Sequence, residues 1–195
     1  MSRKFIILIL LLFLMSATVH AAKKDTTKVS QNHYSLAVGV GWAHYINTLV
    51  VAKSLAKTNS AGISMKFFWE PEHRLSLGLE TGFYRLYKVK SPDYDINKGE
   101  ASMSVVPLLL TIRMRIVDHF YLSTGAGLAI MINKVSGVGE QLTNKVLSMS
   151  NYQFSGSYIY PLTKHWQVGG ELKVLNYGKT ADWMYTIQAV CAVRL

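Results

Sequence analysis

The chain holds a single cysteine, Cys191, so no internal disulfide can staple it. Charged residues make up only 16% of it, below the roughly 25% usual for soluble domains, so something other than a solvated charged surface keeps it dispersed. No apolar stretch approaches the roughly 18 consecutive residues of a membrane-spanning helix; the longest, residues 5–15, is too short. There is no glycine-rich phosphate loop opening a helix and no paired-cysteine metal motif. A disulfide-stapled domain, a helical membrane protein, a nucleotide enzyme and a zinc finger are therefore excluded, and no cofactor or metal is expected.

Ser2, Arg3 and Lys4 precede the apolar run, and small and polar residues ending in Val19-His20-Ala21 follow it. This is the layout of a secretory signal peptide over 1–21, with the mature chain starting at Ala22. No cysteine follows the cleavage point, which disfavours a lipid-anchored lipoprotein. Residues 22–33 read as a short periplasmic segment and 34–195 as one domain. The formal net charge is +10 and stays positive without Arg3 and Lys4. For an exported protein the matching anion is a lipid headgroup or lipopolysaccharide phosphate, not nucleic acid.

The mature chain carries apolar alternation of period two, which puts successive side chains on opposite faces of a strand. Eight runs show it: 34–46, 61–69, 74–89, 101–117, 120–135, 151–160, 166–176 and 183–195. Longer polar connections at 47–60, 91–100, 136–150 and 177–182 alternate with tight ones at 70–73, 118–119 and 161–165. An even strand number with short turns at one end and long loops at the other predicts a closed antiparallel up-and-down transmembrane β-barrel, all-β. Both termini would then be periplasmic, in the outer membrane. No 3.6-residue stripe is sustained and glycines recur inside the runs, which argues against helix.

The composition of the two faces separates a membrane barrel from a soluble one. In the first run Tyr34, Leu36, Val38, Val40 and Trp42 oppose Ser35, Ala37, Gly39, Gly41 and Ala43. A water-facing surface would carry Lys and Glu, whereas Gly, Ala and Ser suit a crowded lumen, so the bulky face should look at lipid. Tyr34, Trp69, Phe120, Tyr160 and Trp166 would gather at the turn end and Trp42, Phe83, Trp183 and Tyr185 toward the loops, as interfacial aromatics do. Cys191 falls on the lipid face.

The segment Val106-Pro107-Leu108-Leu109-Leu110 with Arg113, followed by Phe120-Tyr121-Leu122-Ser123-Thr124-Gly125-Ala126-Gly127, resembles the small outer-membrane barrels typified by the OmpA transmembrane domain and OmpX, especially their Bacteroidota relatives. The resemblance covers 34–195 and rests on pattern more than motif. It implies an eight-stranded outer-membrane barrel and delivery by the barrel-assembly machinery, which typically meets a strand-final aromatic; Leu195 stands there instead. It implies no shared activity.

Inward-facing charges are few: Lys66, Glu80, Arg113, Arg115, Glu171, Lys173 and Arg194. Lys66 and Arg113 flank the strand of Glu80, and Arg194 lies beside that of Glu171, so mutual pairing is expected, because unpaired buried charge costs several kcal/mol. This network reads either as an ion path or as a plug that stiffens the barrel. Catalysis finds little support. His33-Tyr34-Ser35 has a His-x-Ser spacing, but on the first strand and with no acid suitably downstream; His44 lacks an Asp-Ser pair, and His73, His119 and His165 each close a separate turn. Lysines crowd the longer connections, and Lys88, Lys90 and Lys134 form the candidate rim for lipopolysaccharide. The expected function is non-enzymatic, structural or surface-interacting. A narrow porin-like channel and an accessory part of an envelope or secretion machine are the alternatives, and outer-membrane lipid is the expected surrounding.

Overall fold

The protein is represented by a computed structural model that describes residues 33–46, 56–71, 74–90, 99–137, 141–178 and 182–195. The expected signal peptide and nearly all of the 22–33 segment lie outside the described residues. Eight long strands follow one another: β1 (His33–Ile46), β2 (Asn59–Glu70), β3 (Leu75–Lys90), β4 (Glu100–Val117), β5 (Phe120–Ser136), β6 (Gln141–Pro161), β7 (Trp166–Tyr177) and β8 (Asp182–Arg194). A two-residue strand, Ala56–Lys57, precedes β2 and borders β3 at Val89 and Lys88.

Every long strand pairs antiparallel with its chain neighbours, and β8 returns to β1, so the sheet closes. The closing register runs from Ser35↔Arg194 to Ile46↔Trp183. Closure leaves the barrel wall without the unpaired backbone that hydrocarbon would penalise.

The alternation read from the sequence is the alternation found. Tyr34, Leu36, Val38, Val40 and Trp42 are exposed, while Ser35, Ala37, Gly39 and Ala43 are buried. The outward row continues around the wall through Ile63, Met65, Phe67, Leu77, Leu79, Leu108, Leu110, Leu128, Phe154, Leu172 and Ile187. Such a continuous apolar exterior marks a wall facing lipid, not water. Tyr34 and Trp69 sit side by side in the register, at one end of the belt. Cys191 is exposed, on this outer face.

The interior differs from the small, polar lining that the sequence suggested. Its loop-ward half is apolar and aromatic, built from Tyr45, Tyr84, Leu86, Met103, Val105, Met131, Leu175, Tyr177 and Met184. Two glycines make room for the inner rings: a β-carbon at Gly62 would come within 2.4 Å of the Tyr84 ring, and one at Gly78 within 2.4 Å of the Phe68 ring. Neither ring could stay in place beside an alanine.

One expected connection is overturned. Residues 141–150 are strand, not loop, and β6 is therefore the longest strand of the barrel. The reason is a β-bulge: Gly127 faces Asn151 and Ala129 faces Ser148, so two residues, Met149 and Ser150, stand against Leu128 alone. Ser150 takes φ of 66°, and the Asn151 amide donates to the carbonyls of Ser148 and Gly127, pinning the kink. A bulge reverses which parity faces inward. Inward residues are odd-numbered from Asn151 onward, whereas before it Ser148 is the buried one. A period-two reading stops at that point although the strand continues. The other expected longer connections shorten at their edges: β2 begins at Asn59, and β7 runs to Tyr177 with β8 resuming at Asp182. The rest of 47–60 and 91–100, apart from Ala56–Lys57, Thr58, Gly99 and Glu100, lies outside the described residues.

Candidate functional site

The barrel presents two charged assemblies, one in the lumen and one on the outer face beyond the apolar belt. In the lumen, β2 contributes Lys66, β3 Glu80 and β7 both Glu171 and Lys173, all almost fully buried. Lys66 pairs with Glu171 and lies 3.7 Å from Glu80; Lys173 pairs with Glu80 and lies 3.5 Å from Glu171. Two cations and two anions thus alternate around a four-membered ring, each touching both opposite charges. Desolvating such ions is offset only when every charge is met at close range, and the ring does this.

Polar side chains of β2, β3, β4, β6 and β8 complete it. The Gln153 amide donates to Glu80 at 2.5 Å and to the Thr111 hydroxyl at 3.2 Å. The Lys173 ammonium donates to the Tyr84 hydroxyl at 3.4 Å, as does the Gln188 amide at 3.3 Å, and the Ser64 hydroxyl donates to Gln188 at 2.7 Å. The sequence reading missed Tyr84, Gln153 and Gln188, which share the inward parity of the residues it named and so could have been found by listing neutral donors along with charges.

Two expected pairings are corrected. Arg113 does not reach Glu80. It donates to Glu70 at 2.5 Å, and Glu70 also accepts from Arg194 at 3.0 Å and from the Ser35 hydroxyl at 2.9 Å. The guanidinium of Arg113 lies 3.9 Å over the Phe68 ring. Arg194 accordingly sits at the mouth, partly exposed and bonded to Glu70, not beside Glu171. Glu70 had been assigned to a turn; it is the last residue of β2, and its side chain is largely buried. Arg115 is half-buried and makes no ion pair among the described residues.

The lumen between these groups is nearly full. A void of about 10 Å³ remains beside Lys66, Arg113, Ser123, Ser157 and Glu171, room for about one water molecule. Arg113 Nε is buried beside it without a protein hydrogen-bond partner, which a water would satisfy.

The second assembly stands on the loop-ward extensions of β3 to β6. Adjacent rows of the register carry Lys88, Ser102, Lys134 and Thr143, and Arg85, Ser104, Ile132 and Lys145. Both rows continue the outward face directly above the belt, so cations from β3, β5 and β6 line up on one face, with serines of β4 between them. Lys88 is shared with Glu100 at 2.5 Å, a half-exposed pair and hence a weak one. The Lys90 side chain lies outside the described residues. A groove of about 260 Å³ opens beside Lys57, Arg85 and Lys88, with Ala61 and Phe83 of the belt as its floor.

The histidines stay apart. His44 bonds Asn59 at 2.6 Å and stacks on Trp42; His119, at φ 68° in its turn, stacks on Tyr158 and Tyr160; His165 approaches the Arg194 carbonyl at 3.3 Å. His73 lies outside the described residues. Among the described residues no group of three or more His, Cys, Asp or Glu could hold a metal ion.

No protein-family model matches this chain, and no curated protein matches it. Among solved structures it is similar to the crystal structure of Ail, the attachment invasion locus protein of Yersinia pestis, in complex with the heparin analogue sucrose octasulfate. The TM-score is 0.54 at 12% identity, covering 85% of this chain and 99% of that one. A second crystal structure of Ail gives a TM-score of 0.52 at 11% identity, with the same coverage. The shared architecture is that of a small eight-stranded outer-membrane β-barrel.

Proposed function

We propose that the chain resides in the outer membrane with both termini periplasmic, that its barrel is a plugged anchor, and that it acts through the cationic outer face of the β3 to β6 extension. The observation that carries this reading is the alignment of Arg85 and Lys88 on β3, Lys134 on β5 and Lys145 on β6 in two adjacent rows immediately above the apolar belt, with Ser102 and Ser104 of β4 between them. That height is where phosphate-bearing headgroups of a lipid leaflet lie, and each surface cation contributes about 1 kcal/mol toward an anionic membrane surface. The ligand class is a polyanionic glycolipid, lipopolysaccharide above all. Sucrose octasulfate on Ail supports a polyanion partner for a barrel of this architecture. The role is non-enzymatic. The barrel-assembly machinery would meet an apolar residue, Leu195, exposed just past β8.

The test is lipopolysaccharide binding to the folded protein in detergent, titrated against salt. Affinity should fall as salt rises, because screening shortens such attractions. Replacing Lys88, Lys90 and Lys134 with Gln should weaken binding at low salt several-fold. Unchanged affinity would reduce the cations to solvation.

A further inference from the structure

Arginines gather at the turn end of the lumen. Arg115 of β4 pairs with Tyr121 of β5, two residues nearer the turn than the Arg113↔Ser123 pair. On its other side the Arg115 amide donates to the Arg74 carbonyl at 2.7 Å. That bond carries the β3–β4 register one place beyond Leu75↔Met114 and sets Arg74 directly opposite Arg115. Arg74 shares the parity of the buried Ser76 and Glu80, and Arg115 that of the buried Thr111 and Arg113, so both belong to the lumen face of the wall. Arg194 stands at the same end on β8, and Lys164 of the 161–165 connection adds a further exposed cation.

The acids of this end do not match them. Glu70 is taken by Arg113 at 2.5 Å, by Arg194 at 3.0 Å and by the Ser35 hydroxyl at 2.9 Å. Asp118 is exposed in its tight turn and pairs with none of them, and Glu72 lies outside the described residues. Arg74, exposed, and Arg115, half-buried, therefore make no ion pair among the described residues. Like charges directly opposite on one face of a strand pair repel each other, and an anion held between them removes that cost. Guanidinium forks match carboxylates in particular, as Arg113 and Arg194 already do with Glu70.

We infer that this mouth docks an acidic segment of a periplasmic polypeptide, with a carboxylate held between Arg74 and Arg115. The inference rests on the proposed orientation, which puts the turn end in the periplasm. Lipid phosphates lie against the outer face of the wall, across the sheet from these lumen-facing groups. The chain's own 22–32 segment carries Lys23, Lys24 and Lys28 against Asp25 alone. A second copy of the chain would bring an equally basic end, so neither it nor that segment has the complementary charge.

The probe is an end-blocked hexapeptide of alternating Glu and Gly with a nitroxide at one end, added to the full chain folded in phosphatidylcholine nanodiscs. Amide signals of 117–121 and 163–167 should broaden as it binds. R74Q with R115Q should weaken this binding about ten-fold, a loss of two charge-assisted contacts at a partly solvated site. R74Q alone, at an exposed position, should weaken it several-fold and keeps the test open if the double variant folds poorly. Unchanged affinity in both variants, or broadening confined to the cationic outer face at 85–90 and 132–136, would overturn the inference. So would displacement of the peptide by inorganic phosphate at equal concentration, which would make the mouth a general anion trap. A ten-fold gain of affinity in E72Q would overturn it too, because Glu72 would then already hold the two arginines. Orientation is read separately in intact cells, where K164C in a C191S background should resist a membrane-impermeant maleimide until the outer membrane is permeabilised. Labelling of intact cells would refute the periplasmic partner while nanodisc binding persisted, whereas absent nanodisc binding would refute the mouth and leave the orientation standing.

Discussion

Lys173 of β7 and Glu80 of β3 meet across the lumen as an ion pair, both side chains almost wholly screened from solvent. The strands that carry them are not neighbours in the sheet. The pair therefore ties opposite walls of the barrel together, and Lys66 and Glu171 close the same ring from β2 and β7.

Removing Glu80 leaves Lys66 and Lys173 sharing Glu171 as their only anion in the ring and leaves the Gln153 amide with Thr111 alone. Glu80→Ala is expected to destabilise by about 3–5 kcal/mol, the usual cost of breaking a buried pair on one side. Replacing Glu80 and Lys173 together with residues of matching volume, such as Glu80→Leu with Lys173→Met, should recover most of that loss. Urea unfolding midpoints in lipid vesicles measure both; an unchanged midpoint for Glu80→Ala would refute the ring.

At the mouth, Glu70 holds Arg113, Arg194 and Ser35. Glu70→Ala strands the buried Arg113, so it should cost clearly more than Arg194→Ala, whose side chain is already 41% exposed and whose bond is correspondingly weak. A double-mutant cycle between Glu70 and Arg113 should show coupling, and one between Glu80 and Arg113 none.

At the β6 bulge Ser150 holds φ of 66°. A β-branched side chain is costly in that region, so Ser150→Val should lose about 1–2 kcal/mol, while Ser150→Gly should be near neutral, strain relief offsetting chain entropy. Equal stabilities in the same urea assay would remove the bulge as the determinant of the kink.

A closed wall offers denaturant no place to start unzipping. The folded protein should migrate faster on gels when unheated than after boiling. Because the void in the charged layer is only about 10 Å³, planar-bilayer recordings should show no discrete conductance steps. Regular openings in the wild-type protein would restore the channel reading.

The sequence by itself determined the strands, their outward and inward faces, the apolar belt and five of the buried or mouth-lining ions' burial, because each follows from local alternation: a residue's parity decides its face wherever the pairing is regular. Parity failed where an extra residue flipped it, at Leu86 of β3 between Arg85 and Tyr87, and at Met149 and Ser150, and with the second went the upper half of β6. It also says nothing about which inward groups meet. Lys66 and Glu80 are register partners and could be paired from sequence, but Lys173 reaches Glu80, and Arg113 reaches Glu70, only through the strand tilt and stagger that closing the barrel imposes. That stagger is a property of the whole ring of eight strands, so only the tertiary structure decided the ion partners, the aromatic half of the lumen, and the alignment of Arg85, Lys88, Lys134 and Lys145 on a single face.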